Sequence, residues 1–231
     1  MKIRKAAVKH VSLGLKAPYT IAYETIDTAP VVFLRVETDT GLTGFGCAAP
    51  DLPVTGETAD SVCSVFQEII EPVITQANPL LPRTFIEMIK HRCADRPASS
   101  ALAMVDMALY DLMGKAAGRP LCDVLGRCRF SIPTSVTIGI LPVAETVSKA
   151  REFIRQGFKI LKIKGGGNVH DDIERVVKVR ETIGSGFRIC FDANQGFTVK
   201  DTVTFAKAAN KQHILFIEQP TNKKNSELLK E

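Results

Sequence analysis

The hydrophobic pattern of the first half of the chain predicts strands followed by helices. Apolar and polar residues alternate in three N-terminal segments, as in half-buried strands. These segments are 3–15, 31–38 and 42–48. Asp39, Thr40 and Gly41 separate the last two segments and predict the turn of a hairpin. Helical spacing follows, and the first helix is expected to stop at Pro72. The predicted helices are 57–71, 83–93 and 99–117. Strands followed by helices indicate an α+β domain.

From residue 132 onward, strand-like and helical patterns alternate strictly. The predicted strands are 136–140, 158–164, 187–192 and 214–218. The predicted helices are 143–156, 171–183, 200–210 and one that begins near Lys224. Repeated βα units predict a parallel sheet with right-handed crossovers. We therefore divide the chain into an α+β domain, 1–125, and an α/β domain of four βα units, 126–231.

Composition and charge narrow the class of protein. Of the 231 residues, 45% are apolar and 24% are charged, and the net charge is +5, the balance of an ordinary globular protein. No apolar run approaches the roughly 20 residues of a membrane span, and the basic N-terminus lacks the features of a secretory signal. Mixed charges, three Tyr and no Trp argue against a nucleic-acid partner. The six cysteines are scattered and form no C-x-x-C, so we expect free thiols in a reducing cytoplasm.

Polar residues fall at the ends of the four predicted strands. They are Thr137, Lys162 and Lys164, Asp192 and Asn194, and Glu218. They recur at intervals of about one βα unit, which places them at the same level of neighbouring strands. In βα barrels, active sites are built at that carboxyl end. Because side chains alternate across a strand, Lys162 and Lys164 are expected on one face, as are Asp192 and Asn194. The triplet Gly165-Gly166-Gly167 that follows lacks a phosphate-loop pattern, and we expect it to be a flexible loop.

These residue types suggest one chemistry and one simpler alternative. Two carboxylates on adjacent strands, Asp192 and Glu218, suit an oxygen-preferring cation such as Mg²⁺. A lysine near that cation is shifted towards its neutral form and becomes a usable base. Removal of a proton from the carbon next to a carboxylate needs both groups, because the lysine takes the proton and the metal holds the enolate that forms. The alternative is a structural ion-pair cluster of Lys164, Asp192 and Glu218.

Five sequence motifs resemble the muconate-lactonizing and mandelate-racemase side of the enolase superfamily. In chain order they are ETDTGLTGFG, ALAMVDMALYDLMGKAAGRPL, KIK, FDANQG and IEQP. PVTGET and TSVTIGI resemble the dipeptide epimerases within that group, which include the L-Ala-D/L-Glu epimerases and invert one α-carbon of a dipeptide. The resemblance implies an α+β capping domain followed by a TIM-type (β/α) barrel. Cycloisomerisation and dehydration are other reactions of the superfamily.

The resemblance also implies a role for each strand-end residue. Lys164 would be one of two opposed acid–base lysines, and Lys162 would contact the substrate carboxylate and tune Lys164. Asp192 and Glu218 would be two of three Mg²⁺ ligands. Thr137 would touch the bound dipeptide.

Two further residues take expected roles from the same resemblance. Asn194 would contact the metal ligands without binding the metal itself. Glu24 lies in a segment, 18–25, that resembles the capping-domain loop that reads the substrate side chain. An acidic group there would favour a neutral or cationic side chain. Phe45 and Cys47 replace a Trp and a Glu that are frequent in the glycine-rich hairpin, which would reshape packing under the loop.

The length departs most from the family pattern. The family's barrel has eight strands, and this sequence stops just after the fourth, before the third carboxylate ligand and the opposing lysine. We therefore expect a truncated chain that binds Mg²⁺ weakly and does not epimerise efficiently by itself. A small-molecule substrate, a dipeptide, remains the expected partner, and a homo-oligomer is compatible with the resemblance. The non-enzymatic alternative is a truncated remnant that serves as a binding module.

Overall fold

The computed structural model describes residues 1–22, 24–224 and 227, and the chain divides into two compact units. The first unit comprises Met1–Leu15 and Thr28–Phe130, and the second comprises Lys16–Asp27 and Ser131–Glu231. The predicted division at 125/126 lies five residues before the observed one. The segment Lys16–Asp27 groups with the second unit instead, where the N–H of Ile140 donates to the carbonyl of Thr20 at 2.9 Å.

A three-stranded sheet of order β1-β2-β3 lies in the first unit, except for the end of β1 and the start of β2, which belong to the segment Lys16–Asp27. Its strands are β1 (Ile3–Thr20), β2 (Thr25–Thr38) and β3 (Thr43–Ala48). β2 and β3 pair antiparallel, with Leu34 opposite Gly46 and Glu37 opposite Thr43. This pairing confirms the predicted hairpin. The first strand runs five residues further than its predicted end at residue 15.

Helices follow the sheet in the chain. They are α1 (Leu52–Thr55), α2 (Ala59–Val65), α3 (Glu71–Ile74), α4 (Pro82–Arg92), α5 (Ser99–Ala116) and α6 (Leu121–Val124). Apolar side chains of α2 to α5 complete a core with the sheet, whereas α1 and α6 bury no residue. α5 lies against β3 so closely that a Cβ on Gly46 would come within 1.8 Å of the carbonyl oxygen of Met104. The glycines of the hairpin therefore permit the contact between sheet and helix.

The predicted end of the first long helix at Pro72 is wrong. A π-helical turn, Phe66–Ile70, connects α2 to α3, and the chain stays helical to Ile74. The N–H of Glu71 bonds the carbonyl of Phe66, five residues back. Proline is tolerated in the first turn of a helix, where its missing N–H costs little. Pro72 lies at that position of α3, which is why it does not end the helical run.

The second unit alternates strands and helices, as predicted. Its strands are β4 (Ser135–Ile138), β5 (Ile160–Lys164), β6 (Arg188–Asp192) and β7 (Ile217–Glu218). Its helices are α7 (Val143–Arg155), α8 (Val169–Ile183) and α9 (Val199–Lys211). The strands are all parallel and adjacent in chain order. The sequence prediction of an α+β region followed by an α/β region is therefore confirmed. The helix predicted near Lys224 lies mostly outside the described residues.

The helices of the second unit pack on one buried cluster of apolar side chains. Phe191 of β6 stacks on Phe205 of α9, with ring centroids 4.1 Å apart, and lies 5.9 Å from the ring of Phe197. α8 and α9 each begin at a side-chain cap: Asn168 accepts N–H bonds at α8, and Thr198 forms a capping box with Asp201 at α9. Among the described residues, no helix is both long and apolar enough to cross a membrane.

Candidate active site

β5 presents two lysines on one face of the parallel sheet. Leu161 and Ile163 are fully buried on the opposite face, so the alternation of the strand leaves Lys162 and Lys164 together. Their side chains are 22% and 13% exposed. The two lysines therefore lie on the same face of the strand, as predicted from the sequence.

Asp192, at the end of β6, holds both ammonium groups on one carboxylate oxygen. Its Oδ2 lies 2.9 Å from Nζ of Lys162 and 2.8 Å from Nζ of Lys164. Its Oδ1 accepts the backbone N–H of Asn194 at 2.9 Å. The side chain of Asp192 is only 2% exposed, so both of its oxygens need these donors.

Glu218 extends the cluster on the next strand. It pairs in register with Asp192, which in turn pairs with Lys164. Its Oε2 accepts from Nζ of Lys162 at 2.7 Å. Four of the predicted site residues thus form one continuous network at the carboxyl ends of β5, β6 and β7.

The network shifts the pKa of two of its members. Burial lowers the pKa of Lys162, but the hydrogen bonds to Glu218 and Asp192 outweigh burial and leave that pKa above its usual value. Burial raises the pKa of Asp192, but the hydrogen bonds from Lys164 and Lys162 outweigh it and hold this pKa below its usual range. Charge pairing therefore dominates desolvation in this cluster.

A cavity of about 560 Å³ opens beside the two lysines. Thr137 of β4 lines it together with Lys162, its register partner on β5, and with Lys164. Ala17 and Pro18 line the same cavity from the segment Lys16–Asp27, which belongs to the same unit. A small polar molecule in this cavity would lie beside three lysines, with Lys149 of α7 as the third, and beside one threonine hydroxyl.

Glu24 lies on that segment as an exposed residue. The N–H of Ile21 donates to its backbone carbonyl at 2.9 Å. Among the described residues, its carboxylate forms no hydrogen bond with Lys162 or Lys164.

The carboxylates provide part of a ligand set for an oxygen-preferring cation. Asp192 and Glu218 lie on adjacent strands, and the buried Oδ1 of Asn194 has no hydrogen-bond partner among the described residues. These are the oxygen ligands that Mg²⁺ prefers. Within the described part of the chain, no three His, Cys, Asp or Glu side chains lie together as a metal cluster. The residues therefore fit Mg²⁺ as an incomplete set of ligands.

The backbone is strained next to both carboxylates. Asn194 (φ 47°) and Gln195 (φ 66°) follow Asp192, and Gln219 (φ 41°) follows Glu218. The N–H of Gln195 donates to the carbonyl of Gln219 at 2.7 Å, so the two strands stay connected beyond their ends. Left-handed non-glycine residues are uncommon and cluster at functional sites. Sequence reasoning identified Asn194 but missed both glutamines.

The glycine triplet after β5 is packed, contrary to the expectation of a flexible loop. Gly165 and Gly166 are buried. A Cβ on Gly165 would come within 2.2 Å of the ring of Phe191, and one on Gly166 within 1.9 Å of the carbonyl oxygen of Ala193. The first two glycines therefore permit close backbone approach, whereas Gly167 faces open space.

Comparison with known families confirms the resemblance. Residues 3–126 match the N-terminal domain of the mandelate racemase / muconate lactonizing enzyme family, and residues 145–231 match the enolase C-terminal domain-like family. The chain belongs to the mandelate racemase / muconate lactonizing enzyme family of the enolase superfamily.

Several relatives within that family are named epimerases. The chain is 42% identical to an L-Lys-D/L-Arg epimerase of Desulforapulum autotrophicum, over 95% of this chain and 61% of that protein. A crystal structure of a dipeptide epimerase from Enterococcus faecalis, complexed with Mg and the dipeptide L-Leu-L-Tyr, superposes with a TM-score of 0.93 at 35% identity. The superposition covers 98% of this chain and 63% of the Enterococcus faecalis chain. A Methylococcus capsulatus dipeptide epimerase complexed with Mg and L-Arg-D-Lys gives a TM-score of 0.91 at 33% identity, over 96% and 62%. The chain thus spans less than two thirds of the length of these relatives.

Proposed function

We propose that the residues at the carboxyl ends of β4 to β7 form one side of the active site of a Mg²⁺-dependent dipeptide epimerase. The observation that carries this proposal is the placement of Lys164 within 2.8 Å of Asp192, beside a cavity that Lys162 and Thr137 also line. Family membership and relatives named as epimerases support it.

Each residue has a task that its position allows. Lys164 moves the α-proton on one face of the substrate, and for this it must first lose its own proton. Lys162, whose raised pKa keeps it charged, binds the substrate carboxylate. Thr137 contacts the peptide part of the substrate in the same cavity. Asn194 steadies Asp192 through its backbone N–H.

Asp192 and Glu218 are the residues that would hold Mg²⁺, with one or more further ligands beyond those described. When bound, the cation supplies positive charge that stabilises the enolate formed by loss of the α-proton. The two lysines neutralise the same carboxylates in the structure.

The substrate side chain is proposed to be neutral or cationic. Glu24 provides a negative charge on the segment Lys16–Asp27, which contributes Ala17 and Pro18 to the cavity wall. The relative named L-Lys-D/L-Arg epimerase, 42% identical, supports a cationic side chain. Glu24→Gln should reduce the preference for Lys- or Arg-containing dipeptides over neutral ones. An unchanged preference would remove Glu24 from the proposal.

The decisive experiment is α-proton exchange in deuterated water with Mg²⁺ present. The panel contains dipeptides with cationic, apolar and acidic side chains, and hydroxy acids as substrates of the alternative superfamily reactions. Incorporation of deuterium at one α-carbon of a dipeptide, lost in Lys164→Met and kept in Lys178→Met on the exposed face of α8, is the expected result. Exchange of a hydroxy acid instead would favour another superfamily reaction. Binding of Mg²⁺ without any exchange would favour the non-catalytic binding module.

A further inference from the structure

A buried ion pair on α8 contacts the backbone at the end of β5, next to Lys164. Asp172 and Arg175 are three residues apart, their side chains are 0% and 5% exposed, and the carboxylate binds the guanidinium. Removing both charges from water is costly, and such a pair is often no more stabilising than apolar side chains of the same shape. Stabilising the helix is therefore a weak reason for its presence.

The pair holds the backbone on the far side of Lys164. Nη1 of Arg175 donates to the carbonyl oxygen of Lys164 at 3.2 Å, and Oδ2 of Asp172 accepts the N–H of Gly166 at 2.9 Å. Between them, the N–H of Gly165 donates to the carbonyl of Asp192 at 2.9 Å. Both ends of the peptide group that follows Lys164 are thus bonded, and so is the next N–H.

Close packing leaves this turn no room to relax. A Cβ on Gly165 would come within 2.8 Å of Cγ of Asp172 as well as striking Phe191. The carboxylate of Asp172 therefore contacts this turn, and the backbone carbonyl of Asp192 accepts a hydrogen bond from it. A side chain can point in a fixed direction only if its own backbone is fixed, and this turn fixes the backbone of Lys164.

We propose that Arg175, with Asp172, is a positioning residue for Lys164. The planar guanidinium bonds Asp172 through Nη2 and the Lys164 carbonyl through Nη1, and this bridge aims Nζ of Lys164 at Oδ2 of Asp192. A lysine at position 175 could supply charge but not the two-pronged geometry. The inference rests on the proposed function in one respect only, the role of Lys164 in moving the proton.

The test is an NMR measurement of lysine side chains in the full chain, with ¹³Cε and ¹⁵Nζ labels. Loss of one signal in Lys164→Arg assigns the Lys164 signal. The variants are Arg175→Gln, Arg175→Lys and the double variant Asp172→Asn with Arg175→Met, which keeps the shape of the pair without its charge. The matched control is Lys178→Gln, which breaks the exposed i,i+3 pair of Lys178 with Glu181 on the same helix.

The expected result is that the Lys164 signal moves towards the position of exposed lysines in all three Arg175 variants and stays in place in Lys178→Gln. Circular dichroism identifies any variant that fails to fold, and the double variant is designed to fold even if Arg175→Gln does not. An unmoved Lys164 signal in a folded double variant would overturn the proposal. Restoration of the wild-type signal by Arg175→Lys would also overturn it, because neutralising Asp172 would then be the whole role of Arg175.

Kinetics give a second and separate readout. Where the wild-type chain exchanges a dipeptide α-proton, Arg175→Lys should lower kcat by about 10- to 100-fold and change KM less than about 2-fold, since a small misplacement of a reacting group costs rate rather than binding. A change confined to KM would contradict the proposal. Absence of exchange in the wild-type chain would defeat the proposed function, and the NMR comparison would still decide the role of Arg175.

Discussion

Glu57 is expected to be a major determinant of the stability of the first unit, because it caps a helix from a distance. Ala98, which precedes α5, makes no side-chain cap. Instead, Oε2 of Glu57 accepts the backbone N–H of Ser100 at 2.7 Å and the hydroxyl of Ser99 at 2.9 Å, and Oε1 accepts the N–H of Ala101 at 3.3 Å. Glu57 is 1% exposed, so water cannot replace these bonds. A carboxylate at a helix N-terminus also complements the helix dipole.

The structure sets the size of the expected effect. Glu57→Ala leaves two N–H groups, those of Ser100 and Ala101, without acceptors in a buried place, and each unsatisfied group costs about 1–3 kcal/mol. Allowing for relaxation, we expect the free energy of unfolding to fall by about 3 kcal/mol. Glu57→Gln keeps one oxygen acceptor but loses the charge, and we expect a loss of about 1–2 kcal/mol.

Urea denaturation followed by far-ultraviolet circular dichroism measures both variants. The matched control is Glu68→Ala, which removes a half-exposed carboxylate bonded to Arg96 at 2.8 Å and should cost less than about 1 kcal/mol. A Glu57→Ala loss no larger than that of the control, at equal m-values, would refute the capping argument.

Three other predictions follow from packing and local hydrogen bonds. Gly166→Ala should destabilise by about 2 kcal/mol or more, because φ is +104° and a Cβ strikes a neighbouring carbonyl. Gly167→Ala, facing open space, should be neutral or stabilising by up to about 1 kcal/mol in the same denaturation assay. Hydrogen bonds from Thr198 hold the pKa of Asp201 below its ordinary 3.8. Its contribution to stability is therefore complete above pH 3.8 and is lost as pH falls through the lowered folded-state value. Asp201→Asn should remove this part of the stability that is lost at low pH. If the free energy of unfolding depended on pH in the same way in the variant and in the wild type, the prediction would be contradicted. Alkylation of the native protein, read by mass spectrometry, should label the exposed thiols quickly and the buried ones only after denaturation. The exposed thiols are Cys122 and Cys128, and the buried ones are Cys93 and Cys190; equal rates would contradict the burial.

Short-range patterns were enough to predict the order of elements and the lysine–carboxylate cluster. Strand alternation placed Lys162 and Lys164 on one face, and the repeating βα unit brought Asp192 and Glu218 to the same level of adjacent strands. Both inferences depend on the fixed period of a strand and the parallel register of neighbouring strands. These are properties that a sequence expresses within about 30 residues.

Features that depend on close approach of distant residues were not predictable in this way. The continuation of the helix through Pro72 depends on a π-helical turn, and the cap of α5 is supplied by Glu57 from more than 40 residues away. The segment Lys16–Asp27 joins the second unit through a backbone bond to Ile140. None of these partners is marked in the local sequence.

The pattern of apolar residues by itself determined that this chain forms strands, then helices, then βα units, because hydrophobic periodicity acts over neighbouring residues. The glycine turn behind Lys164 shows what only the tertiary structure decided. Three consecutive glycines are equally compatible with a flexible loop and with a packed turn. The choice was made by Phe191, Asp172 and Ala193, which approach two of them too closely for any side chain. Steric exclusion of this kind exists only once the strands and α8 have come together.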